Sequence, residues 1–347
     1  MNVSSDLQHR QFTSDNISGI VPEAMNALIQ ANSGHALPYG SDPWVAELNR
    51  EIQRVFDTQC STFPVFNGTG ANALALAAIS RSHHSVMAHQ SAHIAVDEVN
   101  APGLMGGGLR IETIAGENGL ISPSALRHRI GQARGIHSSK PGVLSLTQAN
   151  ELGLCYRPEQ IAELSAIARE HDMAVHMDGA RFANAVAALG VTPADITWRA
   201  GVDVLVLGGT KLGLPFGELV IFFNEALARD FEWKRKQAGQ LASKMRFLAA
   251  PWLGVLKEDC WLHYAAQCNA KAQEIAVRAA AIPDIQLAVP QQTNAVFLQL
   301  NDAQQTAISE RGWILINLTE ESGVRILCSW DITQRDIDAF ISDLEQL

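Results

Sequence analysis

The sequence predicts an α/β protein built on a mostly parallel sheet, and three observations carry that prediction. Helical and strand-like stretches alternate through the middle of the chain. The strand-like stretches are short and almost continuously apolar, as expected of strands covered on both faces. With 347 residues, the chain is long enough to bury a large core and to add a second, smaller unit.

The opening thirty or so residues carry turn signals in SDN (14–16) and GIVPEAM (19–25), which predict an arm and a first helix. FNGTGANALALAAISR (66–81) reads as a glycine turn entering a helix. PEQIAELSAIAREH (158–171) has apolar residues at helical spacing and proline in its first turn. MAVHMD (173–178) is the next strand, a helical stretch starts at Ala180, and VDVLVLGG (202–209) and ELVIFF (218–223) are two more strands. Helices that regularly separate short β-rich runs define the α/β class. Beyond about residue 250 the texture changes. A long helical region with Trp261, Tyr264 and many alanines leads to IQLAVP, NAVFLQL, WILINL and VRILCSW. Thr333 with Asp336 predicts a capping box at the start of the last helix. This part reads as a smaller α+β domain, so the expected division is 1–245 for the arm and large domain and 246–347 for the small one. No internal repeat or low-complexity segment interrupts the pattern.

Composition narrows the function. The formal net charge of -10 argues against nucleic acid or an anionic membrane as the main partner, since either favours a basic face. No apolar run is long enough to span a bilayer, and the start, MNVSSDLQHRQFTSDN, has no secretory-signal pattern. The five cysteines are scattered, odd in number and without metal-ligand spacing. They read as free thiols in a reducing compartment, the cytoplasm, with no metal expected.

Three short segments bear chemistry. In HMDGARFANA (176–185), Asp178 ends a strand, where ligands collect in parallel α/β sheets. Equally, it could cap the following helix. In VDVLVLGGTKLG, Lys211 follows a strand and a Gly-Gly-Thr turn. It is either a loop lysine or a desolvated amine suited to Schiff-base chemistry. A carboxylate paired with that amine would hold a pyridine nitrogen protonated and turn the ring into an electron sink. In FNGTGAN, Gly68 and Thr69 open a helix whose free N–H groups suit a phosphate. No Gly-Lys-Ser/Thr follows, so it is not a nucleotide P-loop, and it lacks the dinucleotide fingerprint of a nicotinamide dehydrogenase.

Together with PYGSDP (38–43), SAHIAVDE (91–98), SKMRF (243–247) and VRIL (324–327), these segments resemble the L-threonine aldolases and related phenylserine aldolases. These are fold type I pyridoxal 5'-phosphate (PLP) enzymes of the aspartate aminotransferase superfamily, and the resemblance runs from about Ser14 to the C-terminus. It implies a large domain with a mostly parallel seven-stranded sheet and a smaller α+β C-terminal domain. It also implies that Lys211 carries the PLP, Asp178 pairs with the pyridine nitrogen, and Gly68 and Thr69 bind the phosphate beside Asn67 and Thr210. His93 would stack on the cofactor ring, with Glu98 either orienting its neighbours or lying on a solvated helical face. Ser14, Arg181 and Arg325 would hold the substrate carboxylate, and His137 would lie near the substrate hydroxyl. Tyr39 and Arg246 would approach the site, from a partner subunit or as structural residues, in a homodimer or homotetramer. The segment LTQANELG, with Gln148, Ala149 and Asn150, departs from the Glu-Asn-Thr-His motif of many threonine aldolases and is nearer to the phenylserine-aldolase branch.

The implied reaction is retro-aldol cleavage of L-threonine, L-allo-threonine or phenylserine-like substrates to glycine and an aldehyde. His93, His137 or an ordered water is the base. The competing readings are β-elimination or transamination on the same scaffold, and a non-catalytic PLP-binding protein.

Overall fold

The computed structural model describes residues 10–317 and 323–347. The first nine residues of the expected arm and the end of the WILINL stretch lie outside the described residues. Seven strands form the large sheet: β1 (Ser61–Val65), β2 (His84–His89), β3 (Arg110–Ile114), β4 (Lys140–Thr147), β5 (Ala174–Gly179), β6 (Val204–Leu207) and β7 (Glu218–Phe222). The helices along this part are α1 (Pro22–Ala31), α2 (Pro43–Phe56), α3 (Gly68–Ile79), α4 (His93–Val96), α5 (Ala101–Met105), α6 (Pro123–Gly131), α7 (Pro158–Glu170), α8 (Phe182–Leu189), α9 (Phe231–Gln237), α10 (Arg246–Leu256) and α11 (Cys260–Ala280). Then come β8 (Gln286–Leu287), β9 (Ala295–Gln299), α12 (Asp302–Glu310), β10 (Ile316–Asn317), β11 (Val324–Leu327) and α13 (Gln334–Leu344).

The large sheet has the order β1-β7-β6-β5-β4-β2-β3, and β7 alone runs against the others. Its strands alternate between two apolar faces. Leu144, Leu146, Val175, Met177, Leu205 and Leu207 meet one core, while Val143, Val204, Val206, Val220 and Phe222 meet another. Covered on both sides, the strands have no polar face, which is why VDVLVL and ELVIFF read as continuous apolar runs.

Helix α2 shows how the cover is made. Val45, Leu48, Ile52 and Phe56 recur at helical spacing and are all buried, each contributing about 1.5–3 kcal/mol. Asp42 caps its start by accepting the Val45 N–H at 2.9 Å. Helix α3 differs: it is buried almost all round, and its small residues let it lie close against the sheet.

The second sheet, β10-β11-β9-β8, is antiparallel. With α13 and the later turns of α11 it encloses a separate core. The arm reaches into that core. Phe12 stacks on Trp313 at 5.4 Å, and its carbonyl accepts the Leu327 N–H. The Thr333–Asp336 capping box opens α13 as predicted. Helix α10 and the first turns of α11 pack into the large core, whereas Cys268 to Ala279 pack into the small one. We therefore propose that the cooperative units divide within α11 rather than between residues 245 and 246. Among the described residues no helix is long and apolar enough to cross a membrane.

Candidate active site

The carboxyl ends of β4, β5 and β6 share one edge of the sheet, where Asp178 pairs in register with Thr147 on one side and Val206 on the other. The last residue of β1, Val65, pairs with Glu218, the first of β7, so the β1–α3 turn opens at the same edge. A cavity of about 330 Å³ lies there. It is lined by Asn67, Gly68, Thr69, His93, Asp178, Arg181, Thr210 and Lys211, eight residues expected from the sequence, and by Asn16, Asn72, Glu98, Thr147, Glu151 and Glu218.

At one end Asn67 caps α3, its side chain accepting the Gly70 N–H at 2.8 Å. The amides of Gly68 and Thr69 remain in the first turn, at the positive end of the helix. A side chain added at Gly68 would meet no atom within 4 Å, so an anion has open approach to the backbone. Gln240 holds the turn by accepting the Phe66 N–H at 2.8 Å. Thr210 donates its hydroxyl proton to Glu218 at 2.7 Å. Burial pushes the Glu218 carboxyl above its ordinary range, against the opposing pull of Thr210, the Gly209 N–H and Lys211.

Deeper in, Asp178 is buried and accepts the Ala180 N–H at 3.0 Å and the Asn72 amide at 2.9 Å. It does not cap α8, which starts at Phe182 after Arg181. Asn72 gives its second amide hydrogen to Glu98 at 2.8 Å, and the same Glu98 oxygen meets His93 Nδ1 at 2.9 Å. Glu98 is therefore buried behind the histidine and not on a solvated face. Its hydrogen bond raises the His93 pKa, and burial raises that of Glu98.

Lys211 follows β6 in a 3-10 turn. The positive charge of Arg181 and then burial lower its pKa, against the pull of Asp15, Asp178 and Glu218. A lysine so placed gives up its proton more readily and becomes nucleophilic.

The carboxylate-binding residues need revision. Arg181 is held at two points by Asp15, Nε at 2.7 Å and Nη2 at 2.9 Å. Ser14 is absent from the cavity wall and caps its own turn by accepting the Asn16 N–H. Its neighbour Asp15 is the residue that the SDN signal conceals. Arg325 is not part of the cavity wall and donates to the Thr13 carbonyl at 3.2 Å, while its buried Nε has no partner among the described residues. Burial and the charge of Arg181 lower its pKa. The two guanidiniums are close enough to repel, an arrangement that suits an anion between them.

His137 is a correction. It is exposed in a turn before β4, at the amino end of an eight-residue strand. That strand spans roughly 25 Å, which keeps the side chain away from this chain's cavity. Tyr39 is also exposed, with Lys236 above its ring, and Arg246 reaches the Gly34 carbonyl at 3.3 Å. Glu151 is among the residues that the sequence did not mark, with Asp15, Asn72 and Glu218. It sits in the very LTQANELG segment that departs from the aldolase motif, and only the turn after a strand end could have marked it.

A lowered-pKa lysine, a buried carboxylate and a helix N-terminus around one cavity fit the class of PLP enzymes of fold type I. The model of the beta-eliminating lyase family matches residues 11–303. Low specificity L-threonine aldolases of Pseudomonas aeruginosa and of a Pseudomonas species are 47% and 44% identical, over 93% and 97% of both chains. The chain belongs to the beta-eliminating lyase family, alongside these aldolases. A structure of the threonine aldolase of Leishmania major superposes with a TM-score of 0.90 at 24% identity, over 96% of this chain and 98% of that one. Aspartate aminotransferase of Thermus thermophilus shares the fold at a TM-score of 0.71. Members of the family depend on PLP, and the residues here fit it. Beside the helix N-terminus, the amine and the carboxylate, Asn72 Oδ1, Glu98 Oε2 and Glu151 Oε2 are buried without a partner among the described residues.

Proposed function

We propose that the protein cleaves β-hydroxy-α-amino acids such as L-threonine, L-allo-threonine and phenylserine to glycine and an aldehyde. The observation that carries this reading is the placing of Lys211, Asp178 and Arg181 around one cavity, with the Arg325 charge close enough to feel that of Arg181, in a chain closely similar to threonine aldolases.

Bound there, PLP supplies an electron sink for the charge left on the substrate α-carbon when the Cα–Cβ bond breaks. Lys211 would provide the amine that holds the cofactor, and Asp178 would face the ring nitrogen. Asn67, Gly68, Thr69 and Thr210 would surround the phosphate. Arg181 and Arg325 bind and orient the substrate carboxylate, which fixes the Cα–Cβ bond relative to the site. His93, fixed by Glu98, presents its ring to the cavity and can move or hold a proton there.

The same reading includes a cytoplasmic homo-oligomer, dimer or tetramer. Five free cysteines support a reducing compartment. Ile29, Leu37 and Phe66 are more than half exposed, and such large apolar side chains support a partner surface. The test is to supply L-threonine, L-allo-threonine and L-phenylserine and to measure glycine against keto acid. Glycine with aldehyde supports the aldolase, and keto acid would support elimination or transamination.

A further inference from the structure

We infer that Glu151 is the group that accepts the proton from the substrate's β-hydroxyl. The inference rests on the aldolase reading and deepens it. Glu151 lies in the turn after β4 and lines the same cavity as Lys211, Asp178 and His93. One carboxylate oxygen is engaged, Oε1 accepting the His93 backbone N–H at 3.0 Å. The other, Oε2, is buried and has no partner among the described residues. A buried carboxylate oxygen with no donor is costly unless a ligand or a proton satisfies it.

The surroundings suit a base that works near neutrality. Burial raises the Glu151 carboxyl to about 7, helped by the negative charge of Asp178 from β5 and opposed by the His93 N–H from α4 and by Arg181. Tyr156, further along the same loop, feels the Glu151 charge and is itself pushed up, chiefly by burial. A general base works best with a pKa close to the working pH.

The alternatives are worse placed. Glu98 engages His93 Nδ1 at 2.9 Å and raises the His93 pKa, so that ring nitrogen is not open to a substrate hydroxyl. Glu98 is fully enclosed, and its Oε1 is shared between Asn72 and His93. His137 stands at the other end of β4. In the step, the hydroxyl proton passes to Glu151 Oε2 and the O–H electrons form the aldehyde C=O. As the Cα–Cβ bond breaks, bound PLP would supply the sink for its electron pair, and a proton then returns to Cα, so glycine and aldehyde together balance the substrate.

Glu151→Gln tests this in the holoenzyme, since the amide oxygen can still accept the His93 N–H. The expected result is a kcat about 10²-fold lower or more, unchanged KM and cofactor affinity, and loss of the acidic limb of the kcat profile. Glu151→Asp keeps a carboxyl and is expected to keep the limb. Independently of turnover, apoprotein labelled with 13C-glutamate is expected to show a carboxyl signal titrating at about 7 that both variants lack. Wild-type-like cleavage by E151Q, or a retained limb, overturns the inference and leaves the aldolase reading standing. If E151Q does not fold, a limb missing from E151D or the absence of the titrating signal overturns it. If the wild type releases no glycine from any of the three substrates, the aldolase reading fails and this one with it.

Discussion

Asn72 stands between Asp178 and Glu98 and donates one amide hydrogen to each, at 2.9 and 2.8 Å. Only the nitrogen end of the amide can face two carboxylates, so the side chain is fixed by charge as well as by packing. It links Asp178, proposed to face the cofactor ring nitrogen, to the Glu98 carboxylate that meets His93 Nδ1. Asn72→Ala should cost about 3–6 kcal/mol, because two hydrogen bonds to acidic groups disappear, each worth about 1.5–3 kcal/mol. Asn72→Asp should be worse in both stability and kcat, since it adds a third acceptor where donors are needed. Urea unfolding and steady-state rates of the two variants check the order. An N72D protein as stable as N72A would show that the bridge is not electrostatic.

The Asp15–Arg181 pair joins the N-terminal arm to the site. Burial would raise the Asp15 carboxyl, but the charges of Arg181 and Lys211 and the hydrogen bonds of Arg181 and Asn294 outweigh it and hold it below its ordinary value. A carboxyl depressed in the folded state stabilises the protein fully above the unfolded value of about 3.9. That contribution is lost as pH falls through the lower folded value. Both side chains are largely buried, so Asp15→Asn should cost about 3–5 kcal/mol by leaving Arg181 uncompensated. The gap between D15N and wild type in urea unfolding should close as pH falls below about 3.9. A gap that stays constant with pH would mean that the pair contributes only through packing.

What the sequence made legible follows from which signals are local. The strand ends carrying Asp178 and Lys211, the Gly68–Thr69 turn and the Thr333 cap are each written in a few consecutive residues. The parallel order could be inferred because apolar runs without alternation need cover on both faces. Asp15, Asn72, Glu151 and Glu218 were not legible. Each acquires its role from a partner in another element, as Asn72 does on an otherwise apolar helix. His137 failed for a related reason: a motif fixes position along the chain, but an eight-residue strand lies between that turn and the site edge.

Lys211 and Asp178 should fail in different ways when removed. Lys211→Ala should abolish turnover and alter the visible absorbance of bound PLP, because the amine proposed to hold the cofactor is gone. Asp178→Ala keeps that amine and should keep the band, while slowing cleavage by orders of magnitude, since the carboxylate proposed to face the ring nitrogen is lost. Absorbance scans and single-turnover rates separate the two. Full activity in the first variant, or unchanged kinetics in the second, would remove the corresponding role.

Gly208 tests how closely the backbone supports the site. A side chain there would stand 2.5 Å from the Ala180 carbonyl oxygen and 2.7 Å from its Cα. These are backbone atoms of the segment joining Asp178 to Arg181, so relief requires that segment to move. Gly208→Ala should therefore destabilise the protein by about 1–3 kcal/mol through overpacking. It should also displace Asp178 relative to Lys211, which follows three residues later. The expected signature is a lower Tm together with weaker PLP binding by equilibrium titration of the apoprotein. Gly68→Ala adds a methyl group where no atom lies within 4 Å and should leave Tm unchanged. Its effect, if confined to PLP affinity, would assign the cost to the phosphate cradle, whereas equal Tm losses in both variants would contradict the close approach at Gly208.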